Sequence, residues 1–527
     1  GTLTLAGTAS YSGETRVAAG TLKAGAANAF SAASSGVVAS GATLDLAGFS
    51  QTVAGLSNSG TVALAGAAAG TTLTVNGNYV GNNGVLKLGT VLNGGAGPSD
   101  RLVIDGGAAS GKTSVQVTNL GGLGARTTGN GIEVISARNG ATTTAQTTKD
   151  AFVLSGGHVD AGAFEYRLHA GDAGGGGENW YLRAETDSGV PGTPGTPGAG
   201  LPTYRAEASL FAALPNQLRQ SNLGMLASRS QRIGDDDVRG SAGATSGTDG
   251  NNRRAWGRLI STDMDIRQGG TVSPHSEGRV TGLQAGTDLW ANSDWRAGIY
   301  VGQLDGDTRV SGFGSGILNN AAGRNDLRSQ YLGLYGTYAT DDGFYADAVL
   351  QAGRHRYTVQ PLLSAGVSGK GNSLLASIEV GKAFAIGAGG WSVEPQLQLI
   401  HQRLRLDDAT IPGAIVQQDA DSGWIGRAGV RIKGSFATGA GTLQPYARLN
   451  VYRSSKGNDV ARFVNAAAIT PVGAPIGGTS TELAAGFTLA VSQRTSLYGE
   501  LGKQWATGGA ARVGSSVNAA AGVRVKW

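Results

Sequence analysis

The sequence contains no cysteine and few aromatic or charged residues. Aromatic side chains make up 6% and charged side chains 15% of the 527 residues. The absence of cysteine excludes disulfides, thiolate metal ligands and cysteine nucleophiles, and it suits a bacterial protein that is exported through the periplasm. A chain this poor in large apolar side chains is not typical of a layered α/β enzyme.

Long apolar runs are also missing, because no stretch of 18 or more apolar residues occurs, and this argues against a transmembrane helix. The chain starts at Gly1 in the middle of a repeating pattern without a leader sequence, so we expect it to be part of a longer protein. The net charge is +5, yet residues 1–185 carry 10 Lys and Arg against 11 Asp and Glu. Since no Lys/Arg cluster stands out in the remainder, we predict no nucleic-acid partner.

Glycine is abundant, with 89 residues, and it separates short alternating segments in the first third of the chain. Strands of four or five residues cannot bury a face in pairs, but stacked coil on coil they form a continuous core. This pattern favours a parallel β-solenoid (β-helix) over residues 1–185, with an antiparallel sandwich as the alternative. The clearest segments are 2–5, 43–46, 61–64, 72–75 and 85–88.

The middle of the chain changes composition twice. Residues 186–203 hold a Gly/Pro repeat that is typical of a linker. Residues 204–234 have helical spacing, and Pro215 is expected to interrupt this helix or to open its second half. The helix is polar all round, so it needs water or a polar tube around it. We expect residues 235–252 to be a flexible segment.

From residue 253 onward the sequence alternates apolar and polar residues over about ten positions at a time. In the last segment every second residue from Val517 to Trp527 is apolar, and the other face carries Arg524 and Lys526. This alternation is typical of transmembrane β-strands. We predict a 12-stranded antiparallel transmembrane β-barrel over 253–527, with strands at about 253–264, 278–291, 294–305, 326–340, 343–358, 373–387, 390–406, 422–437, 442–453, 479–491, 495–507 and 515–527.

Short turns alternate with longer loops between these strands. Outer-membrane barrels have short periplasmic turns and longer external loops, which fixes the orientation. An even strand number places both barrel ends in the periplasm. The helix is therefore expected to run through the pore and to leave the solenoid outside the cell. The loops are expected at 265–277, 306–325, 359–372, 407–421, 454–478 and 508–514.

Several segments resemble those of one secretion family. Residues 1–22 resemble a passenger-associated repeat, and residues 99–104 through 180–182 resemble a pertactin-like passenger end. Four further segments resemble parts of a translocator domain: 204–207, 255–258, 444–448 and 496–502. Together they resemble the type Va autotransporters of Gram-negative bacteria. The resemblance implies an autochaperone-like region at about 60–185 and a barrel assembly signal formed by Val523, Val525 and Trp527.

Charged residues on the predicted inner face of the barrel are expected to compensate one another in the pore. The helix arginines Arg219, Arg229 and Arg232 are expected to join them. The predicted lumenal residues are Asp347, Glu394, Arg427, Arg431, Lys433, Arg448, Glu482 and Glu500.

Three sequence patterns bear on enzymatic activity. Residues 106–113 match the P-loop expression, but an alternating strand follows where a P-loop needs a helix, so a solenoid turn is favoured. The five histidines, at positions 158, 169, 275, 355 and 401, have no metal-ligand spacing, and no G-x-S-x-G nucleophile elbow occurs. We predict no enzyme, no cofactor and no metal.

Some members of the family that the chain resembles cut their own helix inside the pore at an Asn pair, using lumenal acids. This chain has single asparagines in its helix, at Asn216 and Asn222. Self-cleavage between Asn222 and Leu223 is therefore a weak hypothesis, and the acids are treated as structural.

The predicted function is a translocator in the outer membrane that exports and displays its own passenger at the cell surface. The alternative is a surface adhesin or host-factor-binding virulence protein for which the barrel is mainly an anchor. The resemblance implies outer-membrane lipid, the barrel assembly machinery, periplasmic chaperones and the chain's own passenger as partners. Host surface molecules are further partners under the alternative.

Overall fold

The structure, a computed structural model, contains two compact units. The first comprises residues 1–205, 411–415 and 463–470, and the second comprises the rest. The predicted segment 235–252 and residues 187–199 of the predicted linker lie outside the described residues. The described residues are 1–95, 97–144, 148–186, 200–226, 228–233, 253–387, 390–465 and 468–527.

Short strands that alternate in burial fill the first unit, because each glycine-bounded segment is long enough for only one side of a coil. They are β1 (Thr2–Leu5), β2 (Thr15–Val17), β3 (Thr21–Ala24), β4 (Ser35–Val38), β5 (Thr43–Asp45), β6 (Gln51–Val53), β7 (Gly55–Asn58), β8 (Thr61–Ala63), β9 (Thr72–Val75), β10 (Tyr79–Thr90), β11 (Arg101–Asp105), β12 (Ala109–Asn119), β13 (Ile132–Arg138), β14 (Phe152–Leu154), β15 (Val159–Ala161), β16 (Phe164–Ala170) and β17 (Trp180–Arg183).

Strands from successive coils pair in parallel register, so equivalent apolar positions stack into ladders. In the longest ladder every residue except Leu3 is at most 7% exposed. Each coil therefore contributes one side chain to a continuous core. This register confirms the predicted parallel solenoid and excludes the antiparallel sandwich for these coils. The ladder consists of Leu3, Leu22, Leu44, Val62, Leu86, Val115 and Leu154.

The last part of the solenoid departs from the purely parallel prediction. Strand β17 pairs antiparallel with both β13 and β16, and β15 pairs antiparallel with β16. Trp180 on β17 meets Phe152 edge-on at 5.3 Å between ring centroids, and Phe152 stacks on Tyr79 at 5.7 Å. The last coil of a solenoid exposes unpaired backbone groups and the end of the apolar core. The antiparallel strands pair with these backbone groups, and the aromatic side chains cover the core.

The P-loop-like segment 106–113 forms a turn and the start of β12, and it does not precede a helix. Gly111 has φ +71° and pairs with Gly81 of the adjacent coil, and a Cβ at Gly111 would collide with the Gly81 carbonyl. The Lys112 ammonium lies on the surface, 2.7 Å from Asp150. The glycines therefore serve the close approach of adjacent coils, as the solenoid-turn interpretation predicts.

A buried carboxylate ties the solenoid backbone together. Asp100 is 0% exposed and accepts hydrogen bonds from the backbone N–H groups of Gly70 (2.9 Å), Thr71 (2.8 Å) and Gly89 (2.7 Å). Gly70 and Thr71 come directly before β9, and Gly89 lies near the end of β10, so one side chain holds separate parts of the coils in place.

We expect Asp100→Ala to destabilise the solenoid by about 3 kcal/mol or more, because three buried donors lose their acceptor at about 1–3 kcal/mol each. Urea titration followed by limited proteolysis should show the loss as a lower unfolding midpoint. Asp105→Ala is the matched control, since the Asp105 carboxylate bonds only an exposed Asn139 side chain in the described residues. Equal midpoints for the two variants would contradict the assigned role of Asp100.

Two helices and the barrel follow along the chain, mainly in the second unit. The helices are α1 (Ala206–Met225) and α2 (Arg229–Ile233). The strands are β18 (Arg254–Gln268), β19 (His275–Ala291), β20 (Trp295–Gly314), β21 (Ile317–Ala339), β22 (Phe344–Pro361), β23 (Val367–Lys382), β24 (Phe384–Ile386), β25 (Trp391–Leu406), β26 (Ala409–Ile411), β27 (Ala414–Asp419), β28 (Gly423–Lys433), β29 (Phe436–Thr438), β30 (Gly441–Ser454), β31 (Gly457–Asn465), β32 (Ala468–Ile476), β33 (Gly478–Ala490), β34 (Thr495–Gly509) and β35 (Ala511–Lys526).

Twelve antiparallel strands close on themselves, which confirms the predicted barrel. Their order is β18 to β23, then β25, β28, β30 and β33 to β35, with β35 paired back to β18. Arg254 stands opposite Lys526 at this closing seam. The short strands β24 and β29 extend the pairing beside β25 and β30.

Several strands run further into the long loops than the sequence predicts. β20 and β21 form one hairpin through the predicted loop 306–325, and β26, β27, β31 and β32 form a separate four-stranded sheet within the predicted loops 407–421 and 454–478. The predicted strand ends were placed where the apolar, lipid-facing side chains end, which is at the edge of the membrane. The backbone ladder of hydrogen bonds continues beyond it, and these extensions still bury apolar side chains such as Val310 and Val472.

The barrel strands alternate between buried and exposed side chains. The exposed set is rich in leucine and valine, for example Leu283, Val301, Leu332 and Leu397, each at least 54% exposed. Near the short turns, Trp295 packs on Tyr338 at 4.7 Å between ring centroids. An apolar outer band with aromatic residues at its edge is typical of a lipid-facing surface.

None of the helices in the described part of the chain is both long and apolar enough to span a bilayer.

Candidate functional site in the barrel lumen

Helix α1 runs inside the barrel and contacts β18 to β22 and β25. Its 20 residues span about 30 Å. Polar side chains of the helix bond to the wall: Gln217 donates to Ser276 at 2.9 Å and accepts from Asn325 at 2.9 Å. The lumen therefore supplies the polar surroundings that the sequence of the helix requires.

Pro215 lies inside α1, and the prediction that it interrupts the helix is wrong. Proline lacks the N–H that would bond the Phe211 carbonyl one turn earlier. The Gln418 side-chain amide donates to the Phe211 carbonyl instead, at 3.0 Å, and Asn325 donates to the Leu210 carbonyl at 2.9 Å. Barrel side chains thus offset the cost of the proline, which a sequence-based argument cannot include.

A buried bidentate ion pair joins the middle of α1 to a long barrel loop. The Arg219 guanidinium donates to both oxygens of Asp459, at 2.6 and 2.7 Å, and the two side chains are 5% and 2% exposed. The backbone N–H of Asp421 also donates to Asp459, at 3.0 Å. Paired hydrogen bonds of this kind fix orientation as well as position, so they set the register of the helix in the lumen.

Barrel side chains also end α1. The Met225 carbonyl accepts from Arg258 at 3.0 Å and from Gln284 at 3.1 Å. A capping box then opens α2, because the Ser228 N–H donates to the Gln231 side chain at 3.1 Å. The predicted single helix over 204–234 is therefore two helices. The Ser-x-x-Gln signal at position 228 was visible in the sequence and was missed.

The second helix places two arginines against aromatic residues of the wall. The Arg232 guanidinium pairs with Asp347 and lies over the Tyr335 ring at 5.2 Å, and both members of the ion pair are buried. Arg229 lies over the Tyr345 ring at 4.7 Å. The two positions anchor the end of the helical segment near the short-turn end of the barrel.

The remaining predicted lumenal residues lie in the barrel wall, and all of them except the half-buried Arg448 are buried. Arg448 contacts both Glu482 (3.2 Å) and Glu500 (2.8 Å), and Lys433 lies 3.6 Å from Glu394. Arg431 lies over the Tyr446 ring at 4.2 Å.

Arg427 pairs with Glu379 at 3.1 Å, and this acid was not among the predicted residues. Asp459, the partner of Arg219, was also missed. Glu379 lies on the buried face of β23, so strict two-residue alternation could have indicated it. Asp459 lies in a loop strand, where alternation carries no such information.

Family comparisons follow the same division of the chain. Residues 255–502 match the autotransporter beta-domain, and residues 51–168 match the autochaperone domain type 1. This chain belongs to the autotransporters. Its barrel is the translocator β-domain of the outer membrane, generally a non-enzymatic transport unit, and the passenger region lies at the surface.

Three relatives illustrate the similarity of this autotransporter to known proteins. YuaQ of Escherichia coli K12 is 31% identical over 82% of this chain and 31% of its own length. The adhesin BmaC autotransporter of Brucella suis is 31% identical over 67% of this chain and 10% of its own length. The pertactin autotransporter of Bordetella bronchiseptica is 30% identical over 46% and 26%, respectively. The chain thus spans a third or less of these relatives.

The candidate cleavage position of the autotransporter lies within α1. Asn222 is 0% exposed; its side chain accepts from Ser373 at 3.1 Å and donates to Gln402 at 3.4 Å. Its backbone carbonyl accepts from Gln351 at 3.1 Å. Among the described residues, these partners are neutral amides and a hydroxyl, and none is a carboxylate.

Trp527 of the autotransporter lies at the closing seam. The Trp527 N–H donates to the Arg253 carbonyl at 3.0 Å, and Arg253 lies over the indole ring at 6.0 Å. Trp527, Val523 and Val525 are 59%, 41% and 41% exposed. Their role as an assembly signal stays a prediction.

One histidine of the autochaperone region has a shifted pKa. The imidazole Nδ1 of His158 lies 2.8 Å from a carboxylate oxygen of Asp160, and this hydrogen bond raises the pKa of His158, against a smaller opposing effect of burial. Asp160 also pairs with Arg205 at 3.2 Å. The folded state therefore favours the protonated imidazole.

A raised folded-state pKa contributes stability that is fully present below the unfolded pKa of about 6.5 and is lost as pH rises through the folded value. We expect the urea midpoint of the solenoid to fall as pH rises above about 6.5, and this slope to shrink in His158→Gln. Asp160→Asn, which removes the hydrogen-bond partner of the imidazole, should reduce the slope as well. A slope unchanged by His158→Gln would refute the assignment.

Proposed function

We propose that this chain exports the residues that precede α1 and holds the solenoid at the cell surface. The observation that carries the proposal is a helix that runs inside a closed barrel and is joined to its wall by the buried pairs Arg219–Asp459 and Arg232–Asp347. Such a segment is the expected end state of a chain that has passed through the pore. The pairs hold it there after export.

Folding of the solenoid supplies the free energy for outward movement in this proposal. The periplasm contains no ATP, and the P-loop-like segment 106–113 lies on a solenoid strand. Burial of apolar surface yields about 25 cal/mol per Å². The region from about 60 to 185, which overlaps the autochaperone match at 51–168, would fold first and draw the rest outward.

The orientation of the barrel follows from the two ends of the helical segment. Glu207 at the start of α1 accepts from Ser364 at 2.7 Å, in the connection between β22 and β23, whereas Arg232 pairs with Asp347 close to the short turn at 340–343. We propose that the long loops face the exterior and that the short turns face the periplasm, as in other outer-membrane barrels.

Epitope insertion tests this orientation and the export together. An epitope in the exposed solenoid turn at 12–14 should be labelled by antibody on intact cells. The same epitope in the turn at 341–342 should be labelled only after the outer membrane is permeabilised. Labelling of both on intact cells would contradict the orientation, and labelling of neither would contradict export.

Assembly is proposed to require the barrel assembly machinery, periplasmic chaperones and outer-membrane lipid. Trp527, Val523 and Val525 end the alternating last strand, and an aromatic residue at this position suits the membrane interface. These partners rest on the family resemblance and on the exposure of the three side chains.

We propose that α1 is not cut between Asn222 and Leu223. Cyclisation of asparagine needs its side-chain nitrogen to reach its own carbonyl carbon, and here Ser373 and Gln402 hold the amide within a continuous helix. Mass spectrometry of the chain from outer membranes should show no fragment that begins at Leu223. Such a fragment, absent from Asn222→Ala, would overturn the proposal.

Adhesion is the second candidate function, since one relative is named an adhesin. The match covers 10% of that relative, so we propose that any binding of host surface molecules belongs to passenger sequence beyond the shared region. A cell-binding assay with displayed residues 1–185 tests this. Binding above that of the empty barrel would assign adhesion to the solenoid itself.

A further inference from the structure

Five basic side chains face outward on three consecutive barrel strands. All are exposed, and they lie toward the long-loop ends of these strands. They are Arg354 and Arg356 on β22, Lys370 on β23, and Arg403 and Arg405 on β25, and together they form the basic patch.

Strand register brings the five side chains together. Arg356 stands directly opposite Lys370, and Asn372 stands opposite both Arg354 and Arg405. Neighbouring strands are about 4.8 Å apart, and alternate residues on one strand are about 6.6 Å apart, so the patch spans about 15 Å. Like charges directly opposite each other are destabilising unless an anion lies between them.

Several outward arginines elsewhere on the barrel have carboxylate partners. Arg279 pairs with Asp263 at 2.5 Å, and Arg328 pairs with Asp305 at 2.6 Å. In the part of the chain that the structure describes, no ion pair within 4.0 Å joins any member of the basic patch to a carboxylate. Asp407 and Asp408 follow β25, and Asp408 accepts from Gln417 at 3.2 Å. The five side chains of the basic patch are therefore free of direct carboxylate contacts within the described residues.

The basic patch borders the lipid-facing band. Leu350, Leu374 and Leu399 lie on the same outward face of these three strands, each at least 46% exposed, and Arg403 stands opposite Leu374. Basic side chains at this depth reach the head-group layer of the leaflet on the long-loop side. On the proposed orientation, that leaflet is the outer one.

We propose that the basic patch binds the phosphate groups of lipid A in the outer leaflet. Guanidinium forks pair with phosphate oxygens through two parallel hydrogen bonds, which suits four arginines in one arc. The acyl chains of the same lipid cover the leucines below. A lipid held here stabilises β22, β23 and β25 by compensating their like charges.

Native mass spectrometry of the full 527-residue chain in neutral detergent tests this proposal, with diphosphoryl lipid A as the probe. Phosphatidylethanolamine and fully dephosphorylated lipid A are the comparison lipids. We expect the chain to retain diphosphoryl lipid A at least tenfold more tightly than either. Equal retention of the three lipids would overturn the proposal.

Matched variants locate the site. Replacing all five residues of the basic patch with Gln should reduce lipid A retention at least tenfold. Replacing its four arginines with Lys keeps the charge but removes the guanidinium forks, so it should reduce retention by less than the Gln variant does. The control replaces five other outward arginines with Gln and should change retention less than twofold: Arg267, Arg279, Arg309, Arg324 and Arg328. Equal loss in the two Gln variants would contradict a specific patch.

Competition with inorganic phosphate distinguishes a lipid site from a site for the free anion. Inorganic phosphate at 10-fold excess should not displace lipid A. Displacement would indicate a site for the free anion and overturn lipid recognition.

Heat-modifiability on gels checks that each variant is folded. A patch variant that fails this check is replaced by the pair R354Q/R405Q, which should reduce lipid A retention at least threefold. Because the assay uses detergent, it stands apart from the export and orientation tests.

Discussion

Deletion of residues 206–233 should raise the single-channel conductance of this autotransporter severalfold. Barrels of eight strands are filled by side chains, and barrels of sixteen strands leave an open channel, so a twelve-stranded barrel has a lumen of intermediate width. A helix with its side chains is about 10 Å wide, and α1 therefore fills this lumen. Removing α1 and α2 also leaves Asp459 and Asp347 buried without their arginine partners. We therefore expect a lower melting temperature together with the higher conductance in planar bilayers.

Removal of residues 187–199 is the matched control for this deletion. It shortens the chain before the helices but leaves every helix residue in place, so conductance should stay low. If the two deletions give the same conductance, the helix does not block the pore and its assigned role is wrong.

Replacement of Val115 with Asp should abolish most surface display. Val115 is 0% exposed and stands between Leu86 and Leu154 in the aliphatic ladder. A carboxylate without a partner at this position costs at least about 3 kcal/mol, because it must be buried or expel its neighbours. If solenoid folding drives export, cells should show less passenger accessible to added protease.

Two changes in the same strand serve as controls for Val115→Asp. Gln116→Asp places the same carboxylate at an exposed position. Lys112→Ala removes only a surface ion pair with Asp150. Both variants should leave surface display intact. Loss of display with Lys112→Ala alone would instead point to a chemical role for the P-loop-like segment. Loss with Gln116→Asp would show that display responds to charge and not to burial.

The architecture was accessible from the sequence because it rests on local periodicity. Alternation over four residues, bounded by glycine, indicates a solenoid coil, and alternation over ten residues with apolar positions on one side indicates a barrel strand. Strand β9 of the solenoid and strand β35 of the barrel show these two patterns. The capping box at Ser228 and the inward position of Glu379 were equally local, and a stricter use of the same rules would have found them.

Sequence alone determined the order of solenoid, helix and twelve-stranded barrel, since each is encoded by the spacing of apolar residues and glycine. Only the tertiary structure decided which charges pair, how Pro215 is accommodated and how the solenoid ends. Arg219 and Asp459 are 240 residues apart, and Gln418 bonds the Phe211 carbonyl across 207 residues. Such pairings depend on the register at which twelve strands close around a helix, and that register arises from the packing of the whole barrel.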